Sequence, residues 1–459
     1  MSVHQAAIAV TRFGLGAGPD EIDAATSDPR GWVAAQLDGP PEFHPVAGLV
    51  TSQQAALILQ NLRKTRKAAK RAEVVDPSTQ VDPARFAEAK QQFRRIYLDE
   101  VAARVRTAVS TSTPVVERLV HFWSNHFTVA ATKQITRPLA GAFEREAIRP
   151  HVLGRFQDLL VAAESHPGMI TYLDNHASFG PNSRAGRRRG RGLNENLARE
   201  VLELHTLGVD GGYTQADVTS FAKVLTGWTI APKRFFPEEA GRFKFIDAVH
   251  EPGAHTVLGK RYGEAGIDQP MAVLADLARH PATARHIATK LARHFIADQP
   301  PRSAVDRIAR TFTETDGDLK AVSAAVLTAD EAWRADQRKL KSANEYVLSV
   351  LRGLQAIDAE PDKVIGSLEL MGQRPYAAPS PQGWPDEAAH WASPDGLMKR
   401  IDWARLVADR IGGGIQPLAL LDRLLGPLAA DGTRTAVARA ESATQGLALA
   451  LAAPEFMRR

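Results

Sequence analysis

Residues 193–230 read LNENLAREVLELHTLGVDGGYTQADVTSFAKVLTGWTI, and this stretch predicts a helix, a tight turn and a second helix. Asn194 can cap the first helix, because an Asn side chain accepts hydrogen bonds from the free N–H groups of a first turn. Gly208 can end it, since glycine readily adopts the left-handed conformation that follows many helices. Thr214 and Asp217 have the spacing of a capping box, which predicts the start of the second helix.

The first of these helices carries two glutamates whose side chains point the same way. On a helical wheel with 3.6 residues per turn, Arg199, Glu200 and Glu203 lie within about 60° of Asn196. His205 falls on the opposite side. Paired carboxylates beside an arginine suit acid–base catalysis or the binding of a charged ligand. We therefore predict Arg199, Glu200 and Glu203 as catalytic residues and Asn196 as a ligand-binding residue.

The composition excludes several classes of site. The chain has 459 residues, a formal charge of +5 and no cysteine. The lack of cysteine excludes disulfides, zinc–thiolate sites and cysteine nucleophiles. So mild a basic excess does not by itself indicate a nucleic-acid partner. The sequence shows neither a signal peptide nor an apolar run of ~20 residues, so we expect no membrane span. We expect a cytoplasmic location, with export to the periplasm alongside a partner as the alternative.

The rest of the chain predicts a mainly α fold, a large multi-helical, bundle-like domain. Apolar residues recur at helical spacing along most of its length. β-branched residues between prolines and glycines predict a small β-hairpin insertion around residues 229–260. We expect one domain over residues 1–459, with two lobes as a subdivision. Residues 1–228 would carry the main motif, and residues 229–459 the hairpin and the C-terminal helices.

A second apolar helix, VVERLVHFWSNHFTV at residues 115–129, carries two histidines. His121 and Asn125 lie on one polar face, and His126 lies well round from it. Histidines on such a helix are either core residues bonded to the backbone or members of a pocket. We predict that His121 or His126 lines a site together with the two glutamates of the opening stretch, and that Asn125 binds a ligand. The expected core stripe consists of Val116, Leu119, Val120, Trp123 and Phe127.

A loop rich in Gly, Ser and Arg joins these two regions. It follows residues 172–176, of which Asp174 and Asn175 are predicted to bind a ligand. The loop, residues 177–192, is expected to be mobile. Its arginines could recruit an anion or close over the site as a lid, and the alternative is a solvated insertion. The arginines of residues 184–191 are Arg184, Arg187, Arg188, Arg189 and Arg191.

Several separate motifs follow one another along the chain: ERLVHFWSNHF, SHPGMITYLDNHAS, NENLAREVLELHTLGVDGGYTQADV with LTGW after it, HEPGAHTVLG, GQRPYAAPSPQGWPDEAAHW and the ending APEFMRR. In this order they resemble the bacterial domain-of-unknown-function 1800 family over essentially the whole chain. The resemblance implies a mainly helical protein without a settled activity. It also implies a sulfatase- or phosphatase-like companion protein as a candidate partner. The chain departs from the family twice: residues 178–192 are longer and richer in arginine, and Glu251 stands where aspartate is common.

Three hypotheses for the chemistry remain open. In the first, the opening stretch and its neighbours bind a divalent metal that activates water. Carboxylates on one helix joined by histidine from another can form such a site. The candidate ligands are Glu200, Glu203 and Asn196 with one or two of His121, His126, His205 and Asp174.

In the second hypothesis there is no metal, and two carboxylates act as general acid and base on a glycan or another envelope polymer. Tryptophans would supply the surfaces on which a sugar stacks. The candidate carboxylates are Glu164, Asp174, Glu200 and Glu203, and the candidate tryptophans are Trp123, Trp228 and Trp384, of which Trp228 is predicted to bind the ligand.

In the third hypothesis the polar groups are structural, with Arg199 paired to Glu200 and Glu203. The protein would then be a non-enzymatic binding partner or carrier for the companion protein. Of the three, the sequence most favours a hydrolase-like enzyme with a carboxylate/histidine site in a helical cleft. Its substrate would be an envelope polymer or an anion, and a divalent metal is the candidate cofactor.

Overall fold

The computed structural model of the chain describes residues 2–75, 83–190, 192–334, 336 and 339–459. It confirms a mainly α fold with 61% helix and only small β-hairpins. The helices before the strands are α1 Ser2–Ile8, α2 Glu21–Ala25, α3 Pro29–Ala35, α4 Ser52–Val75, α5 Pro83–Ser110, α6 Pro114–His126, α7 Ala140–Phe143, α8 Phe156–Ser165, α9 Pro167–Tyr172, α10 Arg184–Arg189, α11 Asn196–Glu200 and α12 Gln215–Val224. Those after the strands are α13 Asp268–Arg279, α14 Pro281–Phe295, α15 Arg302–Glu314, α16 Leu319–Leu327, α17 Ala343–Gly353, α18 Pro361–Leu370, α19 Pro394–Ile411, α20 Pro417–Leu425, α21 Asp431–Ala438 and α22 Ala443–Leu451.

The β structure lies where the sequence places it, but it forms two hairpins. Strands β1 (Trp228–Ile230) and β2 (Phe243–Phe245) pair antiparallel, with Trp228 opposite Phe245. Strands β3 (His255–Val257) and β4 (Lys260–Tyr262) form the second pair. Their two-residue turn has positive φ at both positions, 50° at residue 258 and 75° at residue 259. This turn matches the twist of the paired strands and explains how so short a hairpin closes.

Helix α6 lies in the core, because one side of it is entirely apolar. Its predicted stripe is buried: each member of the stripe is at most 1% exposed. The cluster that contains it runs from Ile8 to Met457 and draws on both predicted lobes. The division into lobes at residue 228 stays a prediction. Among the described residues, no helix is both long enough and apolar enough to cross a membrane.

The opening stretch forms two helices, as predicted, but the first is not regular. Helix α11 is followed directly by a π-helical turn, Val201–His205. In a π-helix the backbone bonds to the fifth preceding residue, so the angular positions beyond Glu200 differ from those on a regular wheel. Gly208 has a φ of 86°, which agrees with its predicted role at the end of the helix. The capping box of Thr214 and Asp217 at the start of α12 is confirmed.

The arginine-rich loop contains a short helix and is tied to the body of the protein. The Ser183 side chain caps α10 by accepting from the Gly186 N–H. Glu251 accepts two hydrogen bonds from Asn182, 2.8 Å from the backbone and 2.6 Å from the side chain. Glu251 is itself only 3% exposed. The loop is therefore held by a buried carboxylate, and the predicted Arg191 lies outside the described residues.

Candidate functional site

A polar cavity of about 310 Å³ lies beside α6. Helices α6 and α14 form two walls, and the start of α17 contributes to a third. The loop between α18 and α19 closes it. The lining residues that carry polar groups are Arg104, Arg118, His121, Ser124, Asn125, His126, Thr128, Lys290, Arg293, His294, Ser342, Asn344, Glu345, Gln373, Arg374, Tyr376, Gln382, Trp384, Asp386, Glu387 and His390.

Asn125 fixes the covering loop on α6. Its side-chain amide donates to the Trp384 carbonyl oxygen at 2.9 Å and accepts from the Trp384 N–H at 2.7 Å. The neighbouring Gly383 has a φ of 85°, and a Cβ there would meet the Asn125 carbonyl oxygen at 2.3 Å. Glycine permits this close approach of the two backbones. Asn125 therefore lies at the cavity as predicted, but both ends of its amide bind the protein's own backbone.

The cavity lining carries more positive than negative side chains. Five Arg or Lys residues line it against three carboxylates. All three carboxylates are bound by neighbouring groups: Asp386 lies 2.9 Å from Nδ1 of His294, Glu345 pairs with Arg118 and Arg459, and Glu387 lies 3.5 Å from Arg293. The other two arginines pair with acids outside the lining, Arg104 with Glu144 and Arg374 with Glu369. Within the described residues Lys290 is the lining cation that makes no ion pair, and it favours an anionic ligand.

His121 ends a chain of three ionisable groups, of which Glu117 and His121 lie on α6 and Arg149 lies in a later turn. Arg149 binds Glu117 with two hydrogen bonds, at 2.5 and 2.9 Å. Burial opposes ionisation of Glu117, but the charge and hydrogen bonds of Arg149 outweigh it and lower the Glu117 pKa to about 2. Nε2 of His121 lies 3.4 Å from Oε1 of Glu117, which is long for a hydrogen bond but orients the ring. The carboxylate thus favours a proton on Nε2 and leaves Nδ1 as the basic nitrogen.

The basic nitrogen of His121 is available for chemistry. The ring lines the cavity, and no hydrogen bond of Nδ1 is found in the described part of the chain. Burial and the nearby Arg104 charge lower the pKa of His121 below its usual 6.5. The ring is therefore neutral at pH 7 and can accept a proton.

The predicted catalytic residues do not line this cavity. Glu203 accepts a hydrogen bond from the Tyr213 hydroxyl at 3.0 Å. Arg199 binds Glu195 and Gln215, so its predicted pairing with Glu200 and Glu203 is wrong. Burial raises the pKa of Glu200, and the Glu203 charge adds to the effect. The two glutamates are thus close to each other, but they lie on another surface.

The other predicted ligand-binding residues are placed apart from the cavity. Asn175 is 2% exposed and donates to the carbonyl oxygens of Leu225 and Trp228. Asp174 has a φ of 58° and lies 3.4 Å from the Lys133 ammonium.

Of the predicted tryptophan contacts and the predicted ligand-binding Asn196, only one residue lies at the cavity. Trp228 is buried and packs edge-on against Phe243. Trp123 is also buried, whereas Trp384 lines the cavity. Asn196 is exposed at the start of α11.

The three predicted metal ligands also separate. His121 lies at the cavity, while His205 pairs with buried Glu164 at 2.7 Å between nitrogen and oxygen. His126 lies between them and donates through Nε2 to the His205 carbonyl oxygen at 3.2 Å. No group of three or more His, Asp or Glu within the described residues has the arrangement of a metal site. The arrangement of these side chains in the described residues therefore gives no support to a divalent metal.

Four residues that line the cavity were not predicted as site residues: Lys290, His294, Glu345 and Asp386. A signal for the first two was present, because His286, Lys290 and His294 recur every four residues along one face of α14. The loop that carries Asp386 has no such periodicity. Its place at the cavity depends on contacts with α6 and α14.

The comparisons with known proteins add a family and no more. The family model described as "Protein of unknown function (DUF1800)" matches residues 8–458. No curated protein matches the chain, and no solved structure does.

Proposed function

Since the chain belongs to the DUF1800 family, which is described as a family of unknown function, we propose its function from the cavity: hydrolysis of an anionic substrate, with His121 as general base. The observation that carries the proposal is the chain Arg149–Glu117–His121, which ends on the cavity wall. A carboxylate that orients an imidazole, with the other ring nitrogen free, is an arrangement suited to proton abstraction.

In this function His121 accepts a proton from water or from a hydroxyl group of the substrate through Nδ1. Arg149 and Glu117 act as positioning residues, because they fix the ring and its tautomer. Lys290 supports an anionic substrate, because it lines the cavity and makes no ion pair among the described residues. An envelope polymer and a sulfatase- or phosphatase-like companion remain predictions from the sequence.

The test measures release of p-nitrophenol from p-nitrophenyl phosphate and p-nitrophenyl glucuronide. We expect turnover of at least one, and a loss of about 10²-fold or more in His121→Asn, because general-base catalysis contributes that much. Glu117→Gln should retain more activity, since it keeps the base. The pH profile should retain rate below pH 6.5, because the His121 pKa lies below that value.

Controls separate chemistry from folding. Circular dichroism and thermal melting must show that His121→Asn is folded. His390→Gln is the matched control, since this histidine also lines the cavity but is exposed. Turnover that survives in folded His121→Asn would contradict the proposal.

A second candidate function is binding without turnover. It is favoured by Asn125 and Asn175, whose amides bind backbone atoms, and by Arg199, which pairs with Glu195. These groups are structural, which is the kind of role that the third hypothesis gives to polar side chains, although Arg199 pairs with Glu195 and not with Glu200 and Glu203. Wild-type protein that binds anions but releases no p-nitrophenol from either substrate would support this candidate over hydrolysis.

A further inference from the structure

Lys290 is a cation at the cavity that makes no ion pair within the described part of the chain, although the charge of Asp386 acts on it. It lies on α14, half-buried, among the lining residues. Its ammonium makes no hydrogen bond and no ion pair in the part of the chain that the structure describes. The carboxylates of the lining are directed elsewhere: Asp386 binds His294, Glu345 binds Arg118, and Glu387 lies 3.5 Å from Arg293. The Lys290 ammonium therefore has no hydrogen-bond acceptor among the described protein atoms and is open to the cavity.

His126, in contrast, carries a hydrogen-bond acceptor that has no donor. It also lines the cavity and is 1% exposed. Its Nε2 lies 3.2 Å from the His205 carbonyl oxygen, and a carbonyl only accepts, so the ring proton is on Nε2. Nδ1 is then an acceptor. This nitrogen is buried and finds no hydrogen-bond partner among the described residues.

The two groups keep these roles at neutral pH. Burial, with the Lys290 charge next, holds the pKa of His126 well below 6.5, so Nδ1 stays unprotonated. Burial lowers the pKa of Lys290 only to about 8, so the ammonium stays mostly charged. An unsatisfied buried polar group is costly, and a missing ligand is one explanation for the unpaired Nδ1 of His126 at the cavity.

We propose that this end of the cavity binds an anion that also carries a hydroxyl group, with Lys290 donating to the charged oxygen and Nδ1 of His126 accepting from the hydroxyl. The proposal rests on the proposed function, because it places the substrate in the same cavity. It adds a substrate class: a simple anion satisfies only Lys290, whereas a hydroxyl-bearing anion satisfies both groups. Hydroxy acids, sugar acids and protonated phosphate share this chemistry.

Inorganic phosphate and sulfate form a matched pair of probes. They are similar in size and shape, but phosphate keeps a hydroxyl at pH 7 and sulfate keeps none. Titration calorimetry on the full chain should give phosphate an affinity about tenfold or more above that of sulfate, because the sulfate complex leaves Nδ1 unpaired. Equal affinities, or binding of neither anion at millimolar concentration, would overturn the proposal.

Variants assign the effect to the two side chains. Lys290→Met should weaken phosphate binding about tenfold or more, while Lys320→Met, an exposed lysine paired with Asp38, should not change it. His126→Phe should bring phosphate down to the affinity of sulfate, since it removes the acceptor. Unchanged phosphate binding in folded Lys290→Met would overturn the proposal, even if His126→Phe fails to fold.

The same measurements distinguish this inference from the proposed function. Turnover in His121→Asn tests the general base, and phosphate binding in Lys290→Met tests the hydroxyl-anion site. Preferential phosphate binding without any His121-dependent turnover would remove the hydrolase and leave the hydroxyl-anion site. His121-dependent turnover together with equal affinities for phosphate and sulfate would support the hydrolase and remove the hydroxyl-anion site.

Discussion

Nδ1 of His205 lies 2.7 Å from Oε1 of Glu164, and neither side chain is more than 1% exposed. The pair joins the π-helical turn after α11 to α8, behind the histidine that lines the cavity. Two charged or polar groups so deeply buried depend on each other, because either one alone would lack a partner.

Removing Glu164 alone should therefore destabilise the protein strongly. We expect Glu164→Leu to lower the free energy of unfolding by about 3–5 kcal/mol, measured by urea denaturation at pH 7. The double variant Glu164→Leu/His205→Leu should lose less than the sum of the single variants, since it leaves neither group unpaired. The control is Asp362→Asn, which breaks an exposed pair with Arg94 and should cost at most about 1 kcal/mol. A loss below 1 kcal/mol in Glu164→Leu would show that the pair is not coupled.

Asn175 and Asn196 were both predicted to bind a ligand, and the structure gives them different environments. The Asn175 amide bridges two carbonyl oxygens, at 3.2 Å to Leu225 and 2.9 Å to Trp228. Asn175→Ala should cost about 1–3 kcal/mol, because it leaves buried carbonyl groups without donors. The exposed Asn196→Ala should stay within about 0.5 kcal/mol of wild type. Thermal unfolding of both variants checks this, and equal melting temperatures would contradict the structural role of Asn175.

Stability should fall with acid because His286 is buried in its neutral form. Its Nε2 donates to the Leu204 carbonyl oxygen at 3.1 Å, and the groups that act on the ring are Lys290, His205 and Arg293. Burial, with the Lys290 charge next, lowers the pKa of His286 from 6.5 to about 4. The unfolded chain thus binds this proton first, so stability is complete above pH 6.5 and is lost as the pH falls toward 4.

The size of that loss can be measured with one variant. Between pH 7 and pH 5, His286→Gln should lose about 2 kcal/mol less unfolding free energy than the wild type, because the amide does not titrate. Gln keeps a donor for the Leu204 carbonyl, which separates titration from the lost hydrogen bond. Parallel curves for His286→Gln and wild type across this range would contradict the assignment.

The fold was largely predictable because its signals are periodic. The apolar stripe of α6 and the capping box of α12 lie in short windows of sequence, and both are confirmed. The π-helical turn at Val201–His205 was not predictable, since its hydrogen-bond register depends on what the turn packs against. Glu200 and Glu203 are close to each other, as the helical wheel predicts, but neither lines the cavity beside α6.

The site was predictable only on one wall. The histidines of α6 were recognised in the sequence as candidates to line a site, and His121 and His126 do line the cavity. The opposite wall comes from α14 and from the loop of Asp386, both more than 150 residues further along. That Lys290 makes no ion pair with a described residue depends on which bases the neighbouring acids bind, and no local pattern of sequence shows this.

Glu251 gives a last prediction, since it ties the arginine-rich loop to the body of the protein. Both its oxygens accept from Asn182, just before α10, and its backbone N–H donates to the Thr226 hydroxyl at 2.7 Å. Without the carboxylate, the segment that carries Arg184, Arg187 and Arg188 should open more often. Trypsin cleaves after arginine and acts on open segments, so Glu251→Ala should be cut within 184–190 several-fold faster than wild type, as followed by mass spectrometry. Glu264→Ala is the control, because Glu264 binds only the exposed Gly253 N–H. Equal cleavage rates in Glu251→Ala and wild type would show that the loop is held by other contacts, and would leave its predicted role as a lid open.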